Sequence, residues 1–446
     1  MPNTYPYQVE GVDALQVFLT KHMGALLADD MGLGKTAQAL ELINRTQPMH
    51  VLVVCPSSVK INWLRECDLW LDHDYTYHLI SGRGVKTFTP DFPLVSVINY
   101  DLIHHTDFKD CEYDLIIFDE AHYMKNPKAK RTKSCMKIRT EKRLLLTGTP
   151  IVNRPKELWQ LLLLCDVVDK GAYRRFAVKY CASFKEWIYI PGGNGKRKQV
   201  WNDDGSSNLE ELSYWLRQLC MVRRLKKDVL TDLPEKTRQI IELPWAGGKP
   251  DYLRDEYTRA VAKMKDDTQV AFEEISLLRH ETALEKLPQV IDFISYALQS
   301  SDKIVVFAHH RDVIEELMMQ FTNIATHLVG GMTAEQKQES VNIFKEKDHI
   351  RLFFGQIQAA GTGVNGLQEV CDHAIFVELP WSPSELSQAE DRLHRIGQTG
   401  NVLVQHLVFE NSLDCKIAKT LVRKQKLIDT AVDADVGVDW VQEITT

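Results

Sequence analysis

Short, predominantly apolar and β-branched runs recur along the chain without regular alternation with polar residues. A first set comprises 51–54 (VLVV), 94–98 (LVSVI), 115–118 (LIIF) and 144–146 (LLL). A second comprises 304–307 (IVVF), 352–354 (LFF), 374–377 (AIFV) and 402–408 (VLVQHLV). Runs of this kind suit strands buried on both faces, the habit of parallel sheets covered by helices. Amphipathic stretches lie between them, among them Thr36–Asn44, Val59–Leu71, Val313–Phe321 and Ala334–Lys345. The repeated strand–helix order predicts an α/β architecture.

The segment separating the two sets differs in character. Residues 191–208 (PGGNGKRKQVWNDDGSSN) are rich in Gly, Asn and charge, and predict a hairpin tip or mobile loop. Residues 209–230 and 251–298 predict helices, and Leu243–Pro250 (LPWAGGKP) is the best linker candidate. A cut near 244 then gives two α/β lobes. Residues 1–243 would carry a helical insertion at about 166–240. Residues 244–446 would carry one at about 250–298 and a C-terminal helix at about 412–432, the two insertions facing each other. A chain of 446 residues is long enough for such a division.

Composition removes several function classes. The 44% apolar and 26% charged fractions argue against disordered, collagenous and membrane proteins. No window reaches ~18 apolar residues in a row, and Met1–Tyr5 lacks a basic segment leading into an apolar one. The expectation is a soluble intracellular protein, cytoplasmic or nucleoid-associated, or nuclear in a eukaryote. The nine cysteines are odd in number and scattered, so reduced, packed thiols are expected rather than a disulfide framework. With 54 basic and 61 acidic residues the net charge is −7, which excludes nucleic-acid binding through bulk charge. A local patch exists at 123–143, where nine Lys/Arg face the single acid Glu141.

Four segments carry candidate chemistry. In Asp29-Asp30-Met31-Gly32-Leu33-Gly34-Lys35-Thr36, small residues would let backbone N–H groups approach phosphates. Lys35 would reach the β/γ oxygens, Thr36 would offer a hydroxyl to Mg²⁺, and a helix N-terminus would stand behind them. The strict loop pattern wants Gly where Asp29 stands, so on its own the segment also fits a Gly-rich turn. Asp119-Glu120-Ala121-His122 follows the run 115–118 directly, at the sheet edge where α/β proteins bind ligands. An Asp there can hold the Mg²⁺ that Thr36 touches, and the adjacent Glu can orient or deprotonate water. Thr147-Gly148-Thr149-Pro150 is a common turn when alone, but at another strand end it could sense a γ-phosphate. In Gln388–Gln398 (QAEDRLHRIGQ), Arg392 and Arg395 are three apart and predict one helix face with two guanidiniums aimed at one point. Such a pair suits a γ-phosphate, provided that the lobes close on ATP.

Together these residues resemble a Swi/Snf-type ATPase of helicase superfamily 2, from Tyr7-Gln8 to about Val408. Further matching strings are Cys55–Trp63 (CPSSVKINW), Lys125-Asn126 and Leu146–Pro150. Shorter strings resemble the annealing-helicase (HARP-like, SMARCA-like) branch: 205–212, 221–230, Leu233–Lys236, Gln358–Gly363 and Phe376–Trp381. The resemblance implies two tandem RecA-like lobes and a DNA-stimulated ATPase that uses ATP and Mg²⁺. It implies that Gln8 reads adenine, and that Asp30, Met31, Gly32, Leu33, Gly34, Lys35, Thr36 and Gln388 bind the nucleotide. Thr36 and Asp119 would hold Mg²⁺, Glu120 would activate water, and Arg392 and Arg395 would complete the site. Ser58, Lys60, Asn99, Lys125, Arg311, Thr362 and Trp381 would line a groove for DNA, touching phosphates with little sequence preference. Gln356 departs from the pattern, which has a small hydroxyl residue in that motif. A sequence taken up almost wholly by the motor motifs is expected to carry none of the recognition and zinc modules that larger members append.

The leading expectation is an ATP-dependent DNA translocase or remodeller working as a monomer, with annealing-helicase activity as its finer form. One alternative is a strand-separating helicase, which needs a wedge that only 191–208 could supply. Another is a non-catalytic DNA-binding scaffold. The pairs His104-His105 and His309-His310 lack further ligands at metal spacing. KAKRTK (128–133) is expected in the groove or on a solvated face rather than as a localisation signal, and the Trp residues are expected to pack in cores.

Overall fold

The computed structural model describes residues 4–72, 74–88, 90–148, 150, 154–189, 197–230, 232–245, 268–360, 365–380, 383–410, 412, 414 and 415. The chain divides into two compact units, the first running to residue 231 and the second starting at Asp232.

The first unit contains, in order, α1 (Pro6–Lys21), β1 (Gly24–Leu27), α2 (Lys35–Thr46), β2 (His50–Cys55), α3 (Lys60–Trp70), β3 (Thr76–Leu79) and β4 (Leu94–Asn99). There follow β5 (Glu112–Asp119), α4 (Lys130–Cys135), β6 (Arg139–Leu146), α5 (Leu158–Leu164) and α6 (Tyr173–Tyr180). The unit closes with β7 (Phe184–Tyr189), β8 (Arg197–Asn202), α7 (Leu209–Leu219), β9 (Met221–Val222) and α8 (Lys226–Val229). Seven strands form one parallel sheet in the order β3-β4-β2-β5-β6-β1-β9. β2 and β4 are buried almost throughout because helices cover both faces of the sheet. One face packs Leu52, Val54, Ile116 and Phe118, and the other packs Val51, Val53, Leu115 and Ile117. Burying each aliphatic side chain contributes about 1.5–3 kcal/mol, so the unbroken runs supply the driving force that alternation would halve.

Residues 209–230, whose pattern predicts helix, are helical only in α7 and α8. Met221 and Val222 pair with Leu26 and Leu27, so the segment breaks after α7 to extend the sheet edge. Of the segment 191–208, expected as a hairpin tip or mobile loop, 197–202 is the strand β8, paired antiparallel with β7, and 191–196 lie outside the described residues.

The second unit contains β10 (Lys236–Leu243), α9 (Thr268–Ala297), β11 (Ile304–Ala308), α10 (Arg311–Gln320), β12 (Ala325–Leu328) and α11 (Ala334–Glu346). These are followed by β13 (Leu352–Gln356), α12 (Ile357–Ala360), β14 (His373–Phe376), α13 (Pro383–Glu390) and β15 (Val402–Phe409). Its parallel sheet has the order β10-β15-β14-β11-β13-β12. The cut expected near 244 falls after β10, whose Lys236–Leu243 is held in this sheet by pairing with Val402–Phe409. α9 covers part of the expected 250–298 insertion; residues 250–267 and most of the expected 412–432 helix lie outside the described residues. α9 is fastened by a buried ion pair, Lys286 Nζ donating to Asp414 Oδ2 at 2.5 Å and to the Leu407 carbonyl at 2.9 Å. Eight of the nine cysteines are buried and Cys415 is half-buried, all as free thiols. Among the described residues, no helix is long and apolar enough to cross a membrane.

Candidate active site

Three motifs leave one edge of the first sheet side by side. Register places Leu27 opposite Leu146, and Leu146 opposite Asp119. The loops that follow β1, β6 and β5 therefore start level with one another, at the C-terminal strand ends where α/β sheets bind ligands. They carry Ala28–Gly34, Thr147-Gly148 and Glu120-Ala121-His122 respectively.

The glycines of the first loop are required by geometry. Gly32 and Gly34 have φ of 81° and 71°, the left-handed region, and Gly34 caps α2. A Cβ on Gly34 would lie 2.4 Å from Gln8 Nε2. Gln8, almost fully buried, donates from Nε2 to the Leu33 carbonyl at 3.2 Å, as Tyr7 does from its hydroxyl. Gln8 is thus fixed against the loop, its Oε1 accepting from the Tyr5 N–H. Lys35 opens α2 and donates from Nζ to the Asp29 and Asp30 carbonyls at 2.8 and 3.2 Å. Burial lowers its pKa, against the raising effect of Glu120, Asp29 and Asp30. Thr36 follows in the first turn of α2, and Leu33 and Met31 are buried. A Cβ on Gly148 would meet Met31 Cγ at 2.6 Å and Lys35 Nζ at 3.3 Å, so the second motif closes directly on the first.

Asp119 ends β5. Its Oδ2 accepts from Trp63 Nε1 at 2.8 Å, and its Oδ1 accepts from the Glu120 N–H at 3.0 Å. Burial, with the neighbouring Glu120 charge, raises the Asp119 carboxyl to about 6, while the Trp63 hydrogen bond and Lys35 pull the other way. Such a carboxylate suits a divalent cation, whose charge would relieve what burial costs it. Glu120 has a left-handed φ of 52°, a strain of about 1–2 kcal/mol for a side-chain-bearing residue. His122 Nδ1 lies 3.2 Å from Glu120 Oε2 and 3.3 Å from Thr147 Oγ1, joining the second and third loops.

Trp63 was expected as core. It is buried, yet its N–H serves Asp119, and the signal was its place at the end of the CPSSVKINW string. Equally unforeseen is the role of 223–226. Arg223 donates from Nη1 to the Ala28 and Gly148 carbonyls at 2.6 and 3.1 Å, and pairs with Asp30 Oδ1 at 3.0 Å. Asp30 Oδ2 also accepts from the Lys226 N–H at 3.1 Å.

The residues expected to line a polymer groove divide. Cys55 and Asn99 are in register at the ends of β2 and β4, on the same sheet edge as the phosphate-loop candidates. Asn99 is buried, Lys60 opens α3, and the Ser58 side chain lies outside the described residues. Lys125 pairs with Glu157 at 3.3 Å. Within the basic segment, Lys142 donates to the Leu19 carbonyl and buried Arg143 to that of Leu164. Lys128, Lys130, Lys133, Lys137 and Arg139 remain exposed.

In the second unit, exposed Arg311 opens α10 and pairs with Glu315 at 2.8 Å. Thr362 and Trp381 lie outside the described residues. Gln388 is buried on α13. Arg392 and Arg395 do not share a helix face: α13 ends at Glu390 and both sit in the turns beyond it. Glu390, the last helical residue, is fully buried and paired with Lys236 at 2.9 Å and with Arg238, which ties the helix end to β10. Burial alone would raise the Glu390 carboxyl, but Lys236, His406 and Arg238 hold it well below the usual range. Arg395 Nη1 donates to Asn365 Oδ1 at 2.7 Å. Gln356 is a clamp, its Oε1 accepting from the Gly330 N–H at 2.7 Å and its Nε2 donating to the His309 carbonyl at 3.1 Å. A small hydroxyl residue could not span both.

Residues 7–290 match the family model for the SNF2-related domain, and residues 283–397 that for the helicase conserved C-terminal domain. The chain is similar to the DNA annealing helicase and endonuclease ZRANB3 of Mus musculus, with 31% identity over 96% of this chain and 40% of that protein. It is similar to the SWI/SNF-related matrix-associated actin-dependent regulator of chromatin subfamily A-like protein 1 of Xenopus laevis, with 31% identity over 99% of this chain and 45% of that protein. The chain thus spans less than half the length of either relative. Among solved structures, the Sulfolobus solfataricus SWI2/SNF2 ATPase core in complex with dsDNA matches with a TM-score of 0.46 and 24% identity, over 97% of this chain and 94% of that one. With a single family model matched from residue 7 to 290, well over half its length, this chain belongs to the SNF2-related family.

Proposed function

We propose that the chain is an ATP-dependent DNA translocase whose ATP site is the edge shared by the loops after β1, β5 and β6. The observation that carries this reading is the convergence of Lys35, Asp119 and Glu120 on that edge, with Gly148 against Lys35 Nζ. Lys35, now held by two loop carbonyls, exchanges them for β/γ-phosphate oxygens. Gln8, anchored to the loop, reads the adenine. Glu120 positions and deprotonates the attacking water, and its strained backbone fixes the direction of its carboxylate. Thr36 and Asp119 would hold Mg²⁺, which would neutralise charge on the phosphate oxygens. Arg392 and Arg395, from the second unit, are required for hydrolysis, a contribution of about 10³–10⁵ in rate for such guanidiniums.

The polymer is DNA, supported by the family and by similarity to a protein named as a DNA annealing helicase. It is contacted through Ser58, Lys60, Asn99 and Lys125 of the first unit and Arg311, Thr362 and Trp381 of the second. Lys125 leaves Glu157 to reach a phosphate. Phosphate contacts predict strong salt dependence and little sequence preference. Reannealing of separated strands is the finer form of the activity, and one chain suffices for it.

Hydrolysis by the purified protein alone, then with single-stranded, duplex and forked DNA and with RNA, tests the proposal. Duplex or forked DNA should stimulate it, and Lys35→Ala and Arg395→Ala should each abolish it. Hydrolysis indifferent to every polymer, or absent throughout, overturns the translocase and favours a scaffold.

A further inference from the structure

The β7–β8 hairpin takes no part in the site above, yet it has an unusual surface. Its register opposes Lys185 to Trp201, Trp187 to Gln199 and Tyr189 to Arg197. Opposed residues of an antiparallel pair share a face, as do every second residue of a strand. One face therefore presents Lys185, Trp187, Tyr189, Arg197, Gln199 and Trp201, and Glu186 belongs to the other. The three aromatic residues are 63%, 61% and 41% exposed for Trp187, Tyr189 and Trp201. Such rings normally seek cover, because each carries a large apolar area.

Cations accompany the rings. The Arg174 guanidinium lies 3.6 Å from the Trp201 ring centre and Lys185 Nζ 5.3 Å from it, while Arg197 lies 4.7 Å from that of Tyr189. The acids that follow β8 are already engaged: Asp203 pairs with Lys156 at 3.1 Å, and Asp204 pairs with Lys156 and Arg154. Among the described residues, the aromatic face thus carries positive charge and no carboxylate.

The hairpin is also firmly rooted. The Ala182 N–H donates to Ser207 Oγ at 3.1 Å, and Ser207 Oγ and Asn208 Nδ2 donate to the Lys179 carbonyl at 2.7 and 2.8 Å. Both strands are thereby tied to the C-terminal end of α6.

We propose that this face is a stacking platform for unpaired nucleobases, a single-stranded DNA site separate from the residues assigned to translocation. Exposed aromatic rings interleaved with cations fit a polyanion whose bases have free faces, and a duplex hides those faces. Trp187 and Tyr189 are two positions apart on one strand, so their backbone attachment points are separated by about 6.8 Å, near twice the ~3.4 Å rise of stacked bases. Two rings can thus each take a base of one extended strand, with Arg197 and Lys185 on its phosphates. This deepens the reading of the chain as a DNA motor: a remodeller that meets forks would hold a displaced strand here.

The full-length protein tests it by fluorescence anisotropy with a labelled oligodeoxythymidine of about 16 nucleotides, within the usual site size of such platforms. Trp187→Ala/Tyr189→Ala should weaken binding by at least about tenfold, the scale of a lost stacking contact. Its duplex-stimulated hydrolysis and its melting temperature should match those of the wild type. An abasic strand of the same length should bind the wild type as weakly as thymidine binds the variant, and the variant should not distinguish the two strands. Lys185→Glu/Arg197→Glu should weaken both strands. Unchanged thymidine binding in the aromatic variant overturns the proposal and leaves a protein-docking surface. Equal binding of abasic and thymidine strands by the wild type overturns it in favour of phosphate contacts alone. Failure of duplex DNA to stimulate wild-type hydrolysis would instead count against the motor, and the strand comparison would still be readable.

Discussion

Arg224 grips Asp29 at both carboxylate oxygens, its Nε 3.1 Å from Oδ1 and its Nη2 2.6 Å from Oδ2, and its main-chain N–H adds a bond to Oδ1 at 3.0 Å. Gln38 completes the cluster, donating to Asp29 Oδ2 at 2.9 Å and accepting from Arg224 Nη2 at 2.7 Å. The carboxylate is wholly buried. Asp29 stands where the strict phosphate-loop pattern has Gly, and the substitution ties the loop to the segment that follows β9. Removing one partner leaves the other without its counter-charge, with only the Gln38 and main-chain bonds remaining, at a cost approaching about 3–5 kcal/mol. Asp29→Ala and Arg224→Ala should each lower urea-unfolding stability by that order. The double variant should lose clearly less than the sum. Additive losses would show that the two act independently.

Trp63→Phe keeps the aromatic volume and removes only the N–H that holds Asp119. A hydrogen bond to a charged group contributes about 1.5–3 kcal/mol. We expect kcat for hydrolysis to fall roughly tenfold or more, with the Mg²⁺ concentration for half-maximal rate rising in parallel. KM for ATP should stay near that of the wild type, because the indole serves the carboxylate rather than the Ala28–Gly34 loop. A magnesium titration of both proteins checks this, and an unchanged half-maximal concentration would show that the Trp63 bond does not tune Asp119 toward the cation.

Much of this was legible in the residues, for a physical reason. Strands such as 51–54 and 115–118 are apolar throughout because both of their faces are covered, and their shortness and β-branched residues set them apart from a buried helix such as α5. The Gly32, Gly34, Lys35 and Asp119-Glu120 motifs are local in sequence, so spacing alone reveals them. What failed depended on contacts between distant segments. Met221 and Val222 are a strand only because Leu26 and Leu27 offer an unpaired edge. Arg392 and Arg395 lie beyond the end of the expected helix, at Glu390, which pairs with Lys236, 154 positions before it. The partnership of Trp63 with Asp119 spans 56 positions, and no periodicity encodes it.

The second unit should lose stability in mild acid through His309. Burial, with the nearby Arg279 charge, lowers its pKa to about 4, although Glu378 opposes this. Between about 4 and 6.5 the unfolded chain then holds a proton that the folded chain does not, so stability rises with pH across that window. The contribution is fully present above about 6.5 and is lost as pH falls toward 4. His309→Gln removes the titration. After discounting for partial exposure, the effect is about 1 kcal/mol, or roughly 2–4 °C in Tm for a unit of this size. The wild type should therefore lose more Tm than the variant between pH 7 and pH 5, and parallel curves would rule the residue out as the cause.

Gly34→Ala tests whether Gln8 and the loop act as one device. The backbone at Gly34 is left-handed, so any side chain costs about 1–2 kcal/mol there. The new methyl would also lie 2.4 Å from Gln8 Nε2, closer than any real contact, and so would push the amide off the Leu33 carbonyl. Strain alone would lower stability and leave adenine discrimination intact. Displacement of Gln8 should in addition weaken ATP binding by about tenfold relative to GTP, the worth of one or two lost hydrogen bonds to a base. Competition of both nucleotides against a fluorescent ATP analogue separates the outcomes. Gln8→Ala should show the same loss of discrimination with little change in stability beyond the bonds it forfeits. If Gly34→Ala weakens both nucleotides equally while Gln8→Ala does not, the loop and the glutamine are separate parts, and adenine is read elsewhere.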